Sequence, residues 1–224
     1  MSVAHLVFDL DGTLVDSAPD IHAAVARMLA GEGREALDLA VVTSFIGLGL
    51  PNLVQRVIGH CGMDPSDHAR LVGVTLGHYN AGTNALTRVY PGVIEALTRL
   101  QQAGHAMAVC TNKPEAPARA VLRDLGLEGF FGVVIGGDSL AVTKPDPAPL
   151  HACIAALGGG PAIYVGDSEV DAATAVAAGV PFALFTEGYR KTPVPGLPHR
   201  AAFSDFSRLS DVLAGMQAGT SEPA

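Results

Sequence analysis

Lysine is scarce in this chain: three occur in 224 residues, Lys113, Lys144 and Lys191, and none falls in the first hundred. With 14 basic residues against 22 acidic ones the formal charge is −8, which argues against nucleic acid or an anionic membrane as a partner. A small anionic substrate is still allowed, because only local charge matters there. Cysteine is equally sparse. Cys61, Cys110 and Cys153 are odd in number, widely spaced and never in a C-x-x-C arrangement, which excludes a disulfide framework and suits reduced thiols in a cytosol. No run of about 18 uninterrupted apolar residues occurs, and the N-terminus lacks the basic, apolar and small-residue succession of a secretion signal. No G-x-x-x-x-G-K-[ST] sequence exists, which excludes an ATP-binding P-loop. Repeats and low-complexity linkers are missing too. These absences describe a soluble cytoplasmic protein with neither a nucleic-acid nor a membrane partner, and they leave monomer and homodimer both open.

What is present is apolar: 49% of the residues, enough for one sizeable core with or without a smaller attached domain. Val3 to Asp9 reads as a short buried strand, and Ala18 to Ala30 as a helix with Pro19 in its first turn and Gly31 and Gly33 at its stop. Asp38 to Gly82 holds further helical segments, broken near "GLGLP" and "CGMDPS", and no convincing strand. After "VYPGV" at Val89 to Val93 the pattern alternates. Helices are predicted over Pro91–Ala103, Glu115–Leu125, Pro147–Leu157 and Val170–Ala178. Strands are predicted over Ala106–Thr111, Gly132–Gly136, Ala162–Val165 and Phe182–Phe185, and an apolar patch near Ala202–Phe206 precedes a last helix and a frayed end, "AGTSEPA". Such alternation predicts an α/β fold, a doubly wound, Rossmann-like and mostly parallel sheet, with a second, smaller all-helical domain. The expected division is residues 1–16 and 86–224 for the core and 17–85 for the helical domain.

Ligands of open parallel sheets bind beyond the carboxyl ends of the strands, so the residues just past each strand matter most. Asp9 and Asp11 come after the first; Thr111, Asn112 and Lys113 after the second; a loop reaching Lys144 after the third; Asp167 and Asp171 after the fourth. Asp9 and Asp11 raise a question of their own. On a continued strand they point the same way, roughly 7 Å apart, where like charges repel unless something positive sits with them. Carboxylates with oxygen-only partners suit a hard cation, and Mg²⁺ takes one or two carboxylates while leaving sites for water and a phosphate. The candidate metal ligands are the carboxylates of Asp9 and Asp167 and the backbone carbonyl of Asp11. Thr111, Asn112 and Lys144 are the candidate substrate-binding residues, neutralising the remaining phosphate oxygens. Phosphoryl transfer needs positioning and charge compensation above all. Asp9 can attack phosphorus to form an aspartyl-phosphate, and Asp11 can protonate the leaving alkoxide and then activate water.

Each motif alone has an ordinary explanation. Turns contain D-x-D-G, Thr111 can cap a helix, Lys144 can be a loop lysine, and Asp171 can sit in a helix's first turn. Their joint appearance at successive strand ends favours the catalytic reading. A calcium loop is rejected, because its glycine belongs at position six and its glutamate at twelve, whereas Gly12 is fourth from Asp9 and Asp20 twelfth. His60, Cys61, His68 and His78 match no zinc spacing. "GLGLP" lacks the third glycine and the preceding strand of a nucleotide loop. Lys113 and Arg190 are open between substrate contact and surface roles.

The motifs "DLDGT" (Asp9, Asp11), "TNK" (Thr111), "KPDP" (Lys144) and "GDSEVD" (Asp167, Asp171) together resemble the haloacid dehalogenase superfamily, specifically its phosphatases with a helical cap inserted after the first strand. The resemblance implies the roles given above, Mg²⁺ as cofactor, a small phosphorylated metabolite as substrate, and Asp171 as a residue that supports the metal or Lys144 from behind. Within the superfamily, "DLDGTLVDS", "KPDPAPL", "GDSEVDAATA" and "FTEGYR" most resemble the bacterial phosphoglycolate phosphatases, which implies hydrolysis of 2-phosphoglycolate to glycolate and phosphate. The related dehalogenases lack an acid at the position of Asp11, and the hexose-phosphate mutases usually carry valine where Thr13 stands. A mutase or sugar-phosphate phosphatase is the alternative enzyme, and a regulatory binding module the alternative outside enzymes.

Overall fold

The computed structural model describes residues 4–82 and 84–218. Its first strand, β1 (His5–Phe8), is followed by a two-residue strand, β2 (Val15–Asp16), and then by four helices, α1 (Ala18–Gly31), α2 (Leu39–Thr43), α3 (Gly49–Cys61) and α4 (His68–Asn80). The chain returns through β3 (Arg88–Val89) and α5 (Val93–Gln102), and from there strands and helices alternate. They are β4 (Met107–Cys110), α6 (Glu115–Asp124), β5 (Val133–Ile135), α7 (Ala148–Ala156), β6 (Ala162–Gly166), α8 (Glu169–Ala178), β7 (Phe182–Phe185), β8 (Ala201–Phe203) and α9 (Leu209–Ala218). Of the frayed end expected over 218–224, all but Ala218 lies outside the described residues.

Six strands form one sheet in the order β5-β4-β1-β6-β7-β8, and every neighbouring pair is parallel. The chain winds outward from β1 through β4 to β5, then crosses back and winds the other way from β6. The order therefore reverses beside β1, the place where an α/β sheet opens a crevice at its carboxyl edge. Side chains alternate between the two faces, as period-two geometry requires. Leu6, Phe8, Met107, Val109, Ile163 and Val165 join α5, α6 and α9 in one cluster. Val7, Ala108, Cys110 and Tyr164 join α7 and α8 in the other. Strands buried on both faces explain why these segments read as unbroken apolar runs.

The helices between β2 and β3 have a hydrophobic cluster of their own, built on Val25, Met28, Leu29, Val42, Leu53, Val57, Ile58 and Leu71. Val15 pairs with Val89 and Asp16 with Arg88 in an antiparallel ribbon where the chain leaves the sheet and returns. That ribbon was not expected from the sequence. Asp20, in the first turn of α1, fastens the return by accepting from the Thr87 amide at 2.7 Å, the Thr87 hydroxyl at 2.6 Å and the Leu86 amide at 3.1 Å. Helix starts differ slightly from expectation for local reasons. Gly92 adopts φ 81 and delays α5 to Val93, and a capping box between Ser168 and Asp171 starts α8 at Glu169.

Candidate active site

The acids following β1 do not share one environment. Regular strand ends at Phe8, and Asp11 belongs to an isolated bridge with Val15, so the period-two argument for Asp9 and Asp11 fails. Each acid instead meets its own lysine. Lys144 Nζ lies 2.9 Å from Asp9 Oδ1, while Lys113 Nζ lies 3.0 and 3.1 Å from the two oxygens of Asp11. A surface role for Lys113 is thereby overturned: its side chain is only 6% exposed. Arg190 is turned back to the Thr186 carbonyl of its own loop.

Lys144 is embedded in a network that fixes its ammonium. It donates to Asp171 Oδ1 at 2.8 Å and to the Tyr164 hydroxyl at 2.9 Å, and that hydroxyl donates to Asp171 Oδ1 at 2.6 Å. Asp171 Oδ2 accepts from the Ser168 hydroxyl at 2.7 Å and from the amides of Ser168 and Asp167 at 3.1 and 3.2 Å. Both Asp171 oxygens are thus fully engaged. Burial alone would raise this carboxyl, but Lys144 and the surrounding donors hold it below its ordinary value. The Lys144 ammonium is held above its usual range, against burial, by Asp171 and then Asp9.

Asp9 and Asp167 behave oppositely. Burial first, then the charge of Asp171, push the Asp9 carboxyl up to about 7 against the pull of Lys144. Burial, Asp171 and Asp9 raise Asp167 well above its usual value. Thr13 donates to Asp167 Oδ1 at 2.7 Å and the Tyr189 amide to Oδ2 at 2.6 Å. Carboxylate oxygens of Asp9, Asp167 and Asp171 lie within 4.8 Å of one another. This donor set fits a hard divalent cation, and Asp9 Oδ1 supplies the matching observation. It is buried without a hydrogen-bond partner among the described residues, with the Lys144 ammonium 2.9 Å away. Gly12, at φ 89, keeps the space open; a Cβ there would lie 2.6 Å from Asp167 Oδ2.

The loop after β4 completes the floor. Thr111 Oγ accepts from the Lys113 amide at 3.2 Å, which leaves its own proton free to donate. Asn112 lines the cleft, but its side-chain atoms are engaged by backbone. Its amide nitrogen donates to the carbonyls of Lys144 and Gly47, both at 3.0 Å, and its oxygen accepts from the Lys144 amide at 2.9 Å. Asn112 is a clamp between the lysine loop and the helical region, because its polar atoms are all taken by backbone. Above the floor, the cleft is walled by Ile21, Leu50, Leu53, Leu76 and Tyr79 from the helices. Sequence reasoning missed Tyr164, Tyr189 and Thr13 as supports. Thr13 lies beside D-x-D-G and Tyr189 within "FTEGYR", whereas Tyr164 carried no signal.

A family model described as haloacid dehalogenase-like hydrolase matches residues 3–179. The chain belongs to the haloacid dehalogenase-like hydrolases. It is 54% identical over 210 residues to a phosphoglycolate phosphatase of Cereibacter sphaeroides strain ATCC 17025, covering 93% of this chain and 96% of that one. It is 45% identical over 212 residues to the phosphoglycolate phosphatase of Rhodobacter capsulatus, covering 94% and 96%. Among solved structures, a predicted phosphoglycolate phosphatase from Haemophilus somnus 129PT superposes with a TM-score of 0.86 at 28% identity, covering 94% of this chain and 98% of that one. In this hydrolase, among the described residues, no helix is long and apolar enough to cross a membrane.

Proposed function

We propose that the protein is a Mg²⁺-dependent phosphatase that converts 2-phosphoglycolate to glycolate and phosphate through an aspartyl-phosphate on Asp9. The observation that carries this reading is the buried Asp9 oxygen without a hydrogen bond, set against the Lys144 ammonium at the floor of the cleft. The substrate is taken from the relatives' activity and from the two lysines in that cleft. Asp9 and Asp167, with the Asp11 carbonyl, would hold the cation; Asp171 would not, since Oδ1 is bound to the Lys144 ammonium and the Tyr164 hydroxyl and Oδ2 takes three donors, whereas each Asp167 oxygen takes one. When bound, Mg²⁺ neutralises phosphate oxygens and keeps Asp9 anionic.

Asp9 then attacks phosphorus while Lys144 and the Thr111 hydroxyl draw charge from the non-bridging oxygens. Asp11 delivers a proton to the leaving alkoxide and afterwards takes one from the water that attacks the acyl phosphate. Residues 17–85 act as a cap on a core of 1–16 and 86–224, closing the apolar walls over a small substrate and excluding bulk water. Acid quenching during turnover of ³²P-labelled 2-phosphoglycolate with Mg²⁺ tests this. Label is expected on the peptide carrying Asp9, labile to hydroxylamine, and Asp9→Asn is expected to lose both label and turnover. Turnover that survives Asp9→Asn would overturn the reading.

A further inference from the structure

Lys144 is consumed by the chemistry of Asp9, which leaves the second lysine of the cleft without a stated task. Among the described residues lining the cleft, Lys113 and Lys144 are the two cations. Lys113 is buried, contacts both oxygens of Asp11, and lies 4.4 Å from the centre of the Tyr79 ring on α4. Tyr79 also lines the cleft, and its hydroxyl is buried with no hydrogen-bond partner among the described residues. A buried phenol left unpaired costs free energy unless a ligand satisfies it. The first turn of α3, at Gly49 and Leu50, opens on the same cleft with no side chain capping it, which adds a partial positive charge. Two donors and a helix start thus line the same cleft as Asp9 and Lys144.

We propose that Lys113 and the Tyr79 hydroxyl form the seat for the carboxylate of the substrate, and that this carboxylate displaces Asp11 from Lys113. The inference rests on the phosphatase reading and adds how that site chooses a phosphomonoester bearing a second anion. The exchange is balanced: one carboxylate replaces another on the same ammonium, and the orphaned phenol gains an acceptor. Asp11 retains its hydrogen bond from the Ser17 hydroxyl and is released to turn toward the leaving oxygen. A substrate without the carboxylate leaves Asp11 bound to Lys113 and is penalised in kcat as well as in KM.

The test compares 2-phosphoglycolate with 2-hydroxyethyl phosphate, which is of similar size but lacks the carboxylate. The kcat/KM ratio of the two is expected to favour phosphoglycolate, and to fall roughly 10- to 100-fold in Lys113→Met, the worth of a charge-assisted hydrogen bond. Lys113→Arg should restore part of the ratio. Tyr79→Phe, which removes one oxygen without disturbing the packing, should lower it by about 3- to 10-fold. A residue that merely props the loop would depress both substrates alike, so an unchanged ratio in both Lys113→Met and Tyr79→Phe overturns the inference. So does a preference confined to KM. Should the native protein hydrolyse neither ester, the phosphatase reading fails. Calorimetric binding of the two esters to Asp9→Asn with Mg²⁺ still decides this one, with the affinity preference lost on adding Lys113→Met if it is right and absent from the start if it is wrong.

Discussion

The two acid–lysine pairs at the cleft floor are chemically alike and structurally opposite. Lys144 lies between Asp9 and a wholly buried Asp171, with Tyr164 and Ser168 filling the remaining hydrogen-bonding positions. Tyr164 comes from within β6, Asp171 from the first turn of α8, and Asp9, Lys144 and Ser168 from strand ends and loops of the sheet region. Lys113 faces one acid, Asp11, whose side chain is 13% exposed, and its other neighbour is Tyr79 from the helical region. The first pair is over-determined and suited to holding charge where a transition state needs it. The second has one exchangeable partner and an unpaired phenol, which suits it to recognition. The rigid pair belongs to the proposed phosphoryl chemistry, and the exchangeable pair to the proposed recognition of substrate.

Removing each lysine separates the two pairs most strongly. Lys144→Met strands a buried Asp171 and should destabilise the fold by roughly 3–5 kcal/mol, the usual consequence of leaving a buried charge unpaired. Lys113→Met leaves Asp11 beside an open cleft and should cost only about 1–2 kcal/mol. Urea unfolding of both variants checks this, and equal losses would erase the distinction. A smaller effect concerns pH. Between the ordinary carboxylate value and about 7, the native chain keeps a proton on Asp9 that the unfolded chain has released. Stability of the metal-free protein therefore falls as pH rises through that window. Asp167, raised in the same sense, steepens the fall, whereas Asp171, held low, contributes an opposite slope only at more acid pH. Denaturation midpoints at about pH 5 and about pH 8 should show the decline without Mg²⁺ and a flatter profile with it; the same decline in both would argue against a cation on Asp9 and Asp167. The smallest effect is expected from Ser168→Ala, which removes the cap of α8 and one donor to Asp171, at about 1 kcal/mol. Its activity loss should be the same for carboxylated and uncarboxylated esters, because Ser168 supports the Lys144 side alone.

Much of the sheet was legible because buried parallel strands leave contiguous apolar runs such as Leu6–Phe8 and Phe182–Phe185, and because polar residues cluster where those runs stop. The β2–β3 ribbon was not, since two residues per strand are too few to carry a period. Tyr164 was hidden for a related reason: inside a buried strand it reads as one more apolar position, and only its neighbours in space give its hydroxyl a task. Asn112, next to the candidate residue Thr111, invited a substrate role, but its side-chain amide is engaged by backbone groups of Gly47 and Lys144, 65 and 32 residues away along the chain.

By itself, the order of residues determined that acids, a threonine and a lysine end successive strands, and so that they meet at one edge of a sheet. Local periodicity and turn chemistry are enough for that, because parallel strands deliver their carboxyl ends to the same side. Only the tertiary structure decided which lysine faces which acid, that Asp171 is spent on Lys144, and that a tyrosine from the helical region stands over Lys113. Those pairings depend on side-chain directions set by packing between segments far apart in the chain, and no local pattern encodes them.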